Sequence, residues 1–174
     1  TDDPDGRFAN RSYMIAPDGR IAGWYDKIHM FDVDVTPEET YRESAGYRPG
    51  TRAVVVDAGF ARIGMTVCYD LRFAALYRTL AQGGAQILTV PAAFSPVTGA
   101  AHWEPLLRAR AIETGCFVLA PAQSGDHAIT KGEVLLDGGE EVGIHLVDLD
   151  MDRVDQARRR IASLSHDREY TLAT

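Results

Sequence analysis

The stretch from Phe60 to Phe73, FARIGMTVCYDLRF, constrains the fold of this chain more than any other. Ile63, Met65 and Val67 alternate with small or polar neighbours, the period of a strand with one face in a core. After Cys68 the period changes. Asp70 is an N-cap residue type, and Leu71, Ala74, Ala75, Tyr77, Arg78 and Leu80 suit an amphipathic helix running to Gly83-Gly84. A strand that passes straight into a helix places Cys68 at the top of a sheet, where helix-terminal N–H groups favour a thiolate. Serine nucleophiles are presented by the same kind of turn. A small hydrophobe ending a buried strand would leave the same pattern.

The surrounding pattern is consistent with a layered α/β fold. Ser12 to Ala16 and Arg20 to Lys27 read as a hairpin about the turn Pro17-Asp18-Gly19. A lysine at a strand end is ordinarily a solvated edge residue. The apolar neighbours Ile28, Met30 and Phe31 could instead draw the Lys27 ammonium into a cleft. Asp32 to Pro49 reads as a long irregular segment, the kind that tends to carry function. Glu38, Glu39 and Glu43 lie in it, with solvent as the default for each. Ala53 to Asp57, Ala61 to Cys68, Ala85 to Pro91 and Cys116 to Ala122 read as strands, the last two buried on both faces. Ala92 to Gly99 reads as a loop, and Ala101 to Thr114 as a helix stopped by Gly115. Gln123 to Lys131 is polar and turn-like; Gly132 to Leu136 and Val142 to Asp148 read as strands joined through Gly138-Gly139. Met151 to Ile161 reads as a basic helix whose arginines, Arg158 to Arg160, face solvent or a subunit.

Totals enter mainly by exclusion. At 174 residues, the chain has room for one α/β domain spanning 1–174. A formal charge of −7 argues against nucleic acid or an anionic membrane as the main partner. No apolar run is long enough to span a bilayer. Cys68 and Cys116 sit in apolar runs rather than a spaced disulfide framework, which fits a reducing cytoplasm. The sequence opens on Thr1-Asp2-Asp3-Pro4 without a starting methionine, as expected of a chain already under way. No metal-binding spacing is present. An activated cysteine needs a base or a cation nearby, and Lys27, Glu43, His29 and His102 are the available candidates.

GMTVCYDLRF, preceded by YDKIHMFDVDV and followed by ILTVPAAFSPVTGAAHWEPLLRARAIETGCFVLAPAQSG, resembles the nitrilase (carbon–nitrogen hydrolase) superfamily. The likeness is greatest to its Nit-type amidase branch, which includes omega-amidase and deaminated-glutathione amidase, and is strongest from about Phe8 to Gly125. It implies a four-layer α-β-β-α sandwich and a Glu–Lys–Cys triad. Cys68 falls on the nucleophile and Lys27 on the lysine that stabilises the tetrahedral intermediate. The Tyr69 N–H would be the second oxyanion donor. Glu43 matches a further catalytic glutamate that sits beside the lysine and positions the substrate or the leaving amine. Arg72, Phe94 and Thr98 match positions that line the substrate pocket, where an arginine fork suits a carboxylate. Glu104 is a rival for a supporting role, although a structural partnership with Arg108 or Arg110 suits it better.

Two departures accompany the resemblance. The family's general-base glutamate comes from a strand before the hairpin, and no residue before Lys27 replaces it. A tyrosine–glycine–histidine–serine strand and a proline–tryptophan–glycine turn are also missing between Ser124 and Gly132. An incomplete domain, lacking its N-terminal portion and one loop or strand segment, is therefore expected. The implied activity is hydrolysis of a small linear amide carrying a carboxylate, through a cysteine thioester, without cofactor or metal. The alternatives are a nitrile or N-carbamoyl amide hydrolase on the same scaffold, and a non-catalytic binding protein lacking the base. A homo-oligomer, dimer or higher, is implied on the same grounds.

Overall fold

The apolar runs hydrogen-bond side by side at the centre of the molecule. The computed structural model describes residues 5–35, 39–94, 96–122, 126–130, 133–137 and 146–169, with backbone alone at 96–98, 126–130 and 133–137. In chain order its elements are β1 (Phe8–Ala9), β2 (Arg11–Ile15), β3 (Ile21–Asp26), β4 (Asp32–Asp34), β5 (Thr40–Arg42), β6 (Tyr47–Arg48), β7 (Val54–Asp57) and β8 (Arg62–Met65). Then come α1 (Ala74–Gln82), β9 (Ile87–Thr89), α2 (Pro96–Thr114), β10 (Phe117–Pro121), β11 (Asp126–Thr130), β12 (Glu133–Asp137) and α3 (Asp152–Arg160). Six strands form one sheet in the order β12-β11-β10-β9-β8-β7. Its centre, β8-β9-β10, is parallel, with Ile63 beside Ile87 and Ile87 beside Phe117.

Period-two alternation sorts the side chains to two faces. On one face Leu88, Val90, Val118 and Ala120 pack under Leu76, Tyr77 and Leu80 of α1 and Trp103, Leu107 and Ala111 of α2. Gly64 permits the close approach of α1, since a Cβ there would stand 3.2 Å from the Leu80 Cβ. On the other face Val56 and Met65 pack on Tyr25 of the β2–β3 hairpin, while Ile63, Ile87 and Phe117 pack with Val154 of α3. Helices, sheet and hairpin thus stack as α, β and β layers of a mixed α/β fold.

Several expectations need correction. The strand before Cys68 stops at Met65, and residues Cys68–Arg72 form a 3₁₀ turn before α1 begins at Ala74. Asp70 does not cap α1; its carboxylate reaches back to the Val67 N–H at 2.9 Å, and this local bond competes with a regular helix start. Residues 32–49 hold short paired strands, β4 with β5 and β6 with β1, too brief to show a period. The predicted loop at 92–99 gives way to α2 at Pro96, a residue whose missing N–H suits a first helical turn. Residues 126–130, read as turn-like, form β11, whose backbone is satisfied by β10 and β12. In the predicted strand 142–148, residues 142–145 lie outside the described residues, and 146–148 have no regular structure. The Gly138-Gly139 connection also lies outside them. Arg158 turns inward rather than outward, donating to the carbonyls of Ala85 at 2.6 Å and Thr114 at 3.1 Å.

Candidate active site

A cleft of about 670 Å³ opens beyond the carboxyl ends of the parallel strands, the usual ligand position of an open α/β sheet. Its floor is built where the chain leaves β8, β9 and β10. The Cys68 N–H donates to the Pro91 carbonyl at 3.0 Å, and Ala92 bridges Ala122. Cys68 has φ of +48°, and it is the non-glycine residue with positive φ among those described. A side chain in this left-handed region costs of order 1–3 kcal/mol, so the turn is held by its surroundings rather than by preference. The consequence is an outward-facing thiol at the cleft's edge, within 3.9 Å of the Ala93 carbonyl.

Lys27 arrives from the end of β3. The Lys27 N–H donates to the Asn10 carbonyl at 2.9 Å, and the Lys27 carbonyl accepts the Gly50 N–H at 2.7 Å, so its backbone is fixed on both sides. The side chain is 3% exposed, contrary to the solvated-edge default. Its ammonium is paired with Glu43. Glu43, expected by default in solvent, is drawn in by that cation, by the Phe31 N–H at 2.7 Å and by the Asn10 side-chain amide at 3.2 Å. Arg7 holds the 3₁₀ turn that carries Glu43 by donating to the Ser44 carbonyl.

Burial pushes the Cys68 thiol above its ordinary range. The Lys27 ammonium and the Tyr69 N–H pull the other way, and the Glu43 carboxylate adds to the rise. The expected thiolate is therefore not the resting form at neutral pH: burial outweighs the nearby cation and N–H groups. Attack by this sulfur requires removal of its proton.

Cys68, Lys27, Glu43, Tyr69, Arg72 and Phe94 all line this one cleft. Arg72 lies over the Phe94 ring at 5.2 Å and donates toward His102 Nδ1 at 3.2 Å. Phe94 rests on Trp103, with ring centroids 5.0 Å apart. Thr98 lies in the backbone of α2, but its side chain is outside the described residues. Among the described residues neither candidate histidine lines the cleft. His29 is bonded to Asp70 and stacked on Phe73, while His102 lies within α2. Glu104 pairs with Arg108 one turn on, and Arg110 with Glu113.

Sequence reasoning missed Asn10, Phe31, Tyr41 and Arg42 on the cleft wall. Asn10 lies between two strands and Phe31 in an irregular segment, and neither has a local pattern that marks it. Arg42 is tied to Asp34 at 2.7 Å and to the Tyr41 carbonyl, a partnership a short apolar-poor run does not reveal.

Residues 3–159 match the family model described as carbon-nitrogen hydrolase. A deaminated glutathione amidase from Synechocystis sp. is 41% identical over 175 residues, covering 92% of this chain and 64% of that protein. Omega-amidase NIT2 from Homo sapiens is 35% identical over 168 residues, covering 90% of this chain and 61% of that protein. The crystal structure of the C. elegans NitFhit protein superimposes with a TM-score of 0.87 at 34% identity, covering 95% of this chain and 44% of that one. The chain thus spans less than two thirds of the length of the curated relatives it matches.

Proposed function

The chain belongs to the carbon–nitrogen hydrolase family, and from that premise we propose that it acts as an amidase on a small linear amide carrying a carboxylate. The observation that carries this reading is the convergence of Cys68, Lys27 and the Tyr69 N–H on one cleft. In the proposed reaction a general-base carboxylate, the glutamate that the family resemblance implies, takes the Cys68 proton and later gives it to the leaving nitrogen. The Cys68 sulfur attacks the amide carbon, and the carbonyl electron pair moves onto oxygen. Lys27 Nζ and the Tyr69 N–H receive that oxyanion. The carbon–nitrogen bond breaks as its nitrogen takes a proton, and ammonia leaves a thioester. Water then attacks the thioester, giving a carboxylic acid and restoring the thiol. Glu43 already accepts from Lys27, Phe31 and Asn10, so its role is to hold the lysine rather than to collect the thiol proton.

Arg72, set over Phe94 at the cleft wall, is the proposed partner of the substrate carboxylate. The relatives named as deaminated glutathione amidase and omega-amidase support a substrate of this kind. Among the described residues no helix is long and apolar enough to cross a membrane. A cytoplasmic homo-oligomer, dimer or higher, is proposed with the activity.

Ammonia release from deaminated glutathione, α-ketoglutaramate, a nitrile and an N-carbamoyl amino acid tests the reading. Turnover of the first two is expected, with Arg72→Met raising KM for both. Preference for the nitrile or the N-carbamoyl compound would assign another hydrolase chemistry to the same cleft. Binding of the amides without turnover of any compound would identify a non-catalytic member.

A further inference from the structure

Behind the cleft lies a second carboxylate. Asp70 is wholly buried and accepts four hydrogen bonds. Oδ2 takes the Tyr25 hydroxyl at 2.7 Å and the Val67 N–H at 2.9 Å. Oδ1 takes the His29 backbone N–H at 3.1 Å and His29 Nδ1 at 2.7 Å. A carboxylate only accepts, so Nδ1 is the protonated ring nitrogen here. All four usual acceptor directions are filled, which is how a buried carboxylate is tolerated.

The donors come from two places that the sheet does not join. Tyr25 and His29 stand two residues before and two after Lys27; Val67 immediately precedes Cys68. The strand leading into Lys27, β3, pairs with β2 and not with β8, so no ladder fixes the lysine's hairpin against the cysteine's turn. The link is reinforced locally. The Tyr25 hydroxyl also accepts the Ile28 N–H at 3.2 Å, and the His29 ring stacks on Phe73 with centroids 3.5 Å apart.

We propose that Asp70 is a positioning residue, clamping the Tyr25–His29 segment to the Cys68 turn and so setting where the Lys27 ammonium stands relative to the sulfur. The inference rests on the reading of Cys68 as nucleophile and Lys27 as the cation of the oxyanion site. It gives the YD-x-x-H spacing around Tyr25 and the CYD spacing around Asp70 a shared purpose beyond packing.

Alkylation of Cys68 by iodoacetamide across pH, mapped to this cysteine by peptide mass, reads the clamp without any amide substrate. Lys27→Met is expected to move the alkylation midpoint upward, since the ammonium favours the thiolate. Asp70→Asn is expected to move it upward too, because the ammonium is no longer held in place. In the Lys27→Met background, Asp70→Asn should cause no further upward movement, since only the charge effect remains. Loss of a negative charge near the sulfur would by itself move the midpoint downward, so the direction separates positioning from simple charge. A downward or unmoved midpoint in Asp70→Asn, or a shift that adds to that of Lys27→Met, overturns the clamp. If Lys27→Met leaves the midpoint in place, the reading of Lys27 falls and the clamp with it. Should Asp70→Asn not fold, Tyr25→Phe, which removes one hydroxyl, is expected to move the midpoint the same way to a smaller extent, and no movement overturns the proposal. In steady state, Asp70→Asn is expected to lower kcat by roughly 10²-fold, the scale of a misplaced catalytic group, with little change in KM. Equal losses in both would mark a merely structural residue.

Discussion

Cys68 adopts a backbone conformation that its side chain disfavours, with φ of +48°. Glycine is ordinarily about 0.5–1 kcal/mol worse than alanine in regular structure, because it loses more chain entropy on folding. In the left-handed region that order reverses. Cys68→Gly is therefore expected to be at least as stable as Cys68→Ala by thermal or denaturant unfolding; a Gly variant less stable than the Ala variant would show the turn to be unstrained. The same residue shows what its sequence context could and could not reveal. Alternation at Ile63, Met65 and Val67 made the sulfur's place at a sheet end legible. The height of its thiol depends on burial and on Lys27 and Glu43, which approach from distant segments. Glu43 read as solvated for the same reason: the partners that draw it inward, Asn10, Lys27 and Phe31, lie 12 or more residues away.

Elements built on an apolar run or a repeating apolar face were legible; β11, read as turn-like, and the brief strands β4, β5 and β6 were not. The helix around Leu107 was legible because it buries one repeating face, and the strand around Val118 because its near-continuous apolar run is buried on both faces. β4, β5 and β6 have two or three residues each, which leaves no period to read. Only the family resemblance indicated that this irregular segment brings a carboxylate to the lysine. The hairpin end is the element on which the site turns. Gly50 lies against it so closely that a Cβ would stand 2.1 Å from the Asp26 carbonyl oxygen. Flexible side chains cannot relieve a clash with backbone. Gly50→Ala is expected to cost about 1–3 kcal/mol, the range for forced overpacking, and to lower turnover by displacing Lys27. Wild-type unfolding and turnover in this variant would mean the Lys27 segment is not seated by Gly50.

At the scale of the whole molecule, the core holds neutral titratable groups. Burial pushes up the phenols of Tyr25 and Tyr77 and the thiols of Cys68 and Cys116. Each has a folded value above its unfolded one. Its stabilising contribution is therefore complete below the ordinary thiol and phenol values, about 8.5 and 10, and is lost as pH climbs past them. Unfolding free energy is expected to be level from about pH 7 to 8 and to fall above about pH 9; a level profile up to about pH 11 would mean these groups ionise without penalty. The α, β and β layers bring the sheet's carboxyl end and the hairpin's end to one cleft, and the covalent chemistry assigned to that cleft can be observed directly. Intact and peptide mass spectrometry of the full chain, quenched in acid during turnover of a carboxylated amide, measures it. The expected result is an acyl group, the substrate less ammonia, on the Cys68 peptide and absent from Cys68→Ala. Turnover that persists in Cys68→Ala, or an acyl group carried on any other residue, would contradict the assignment.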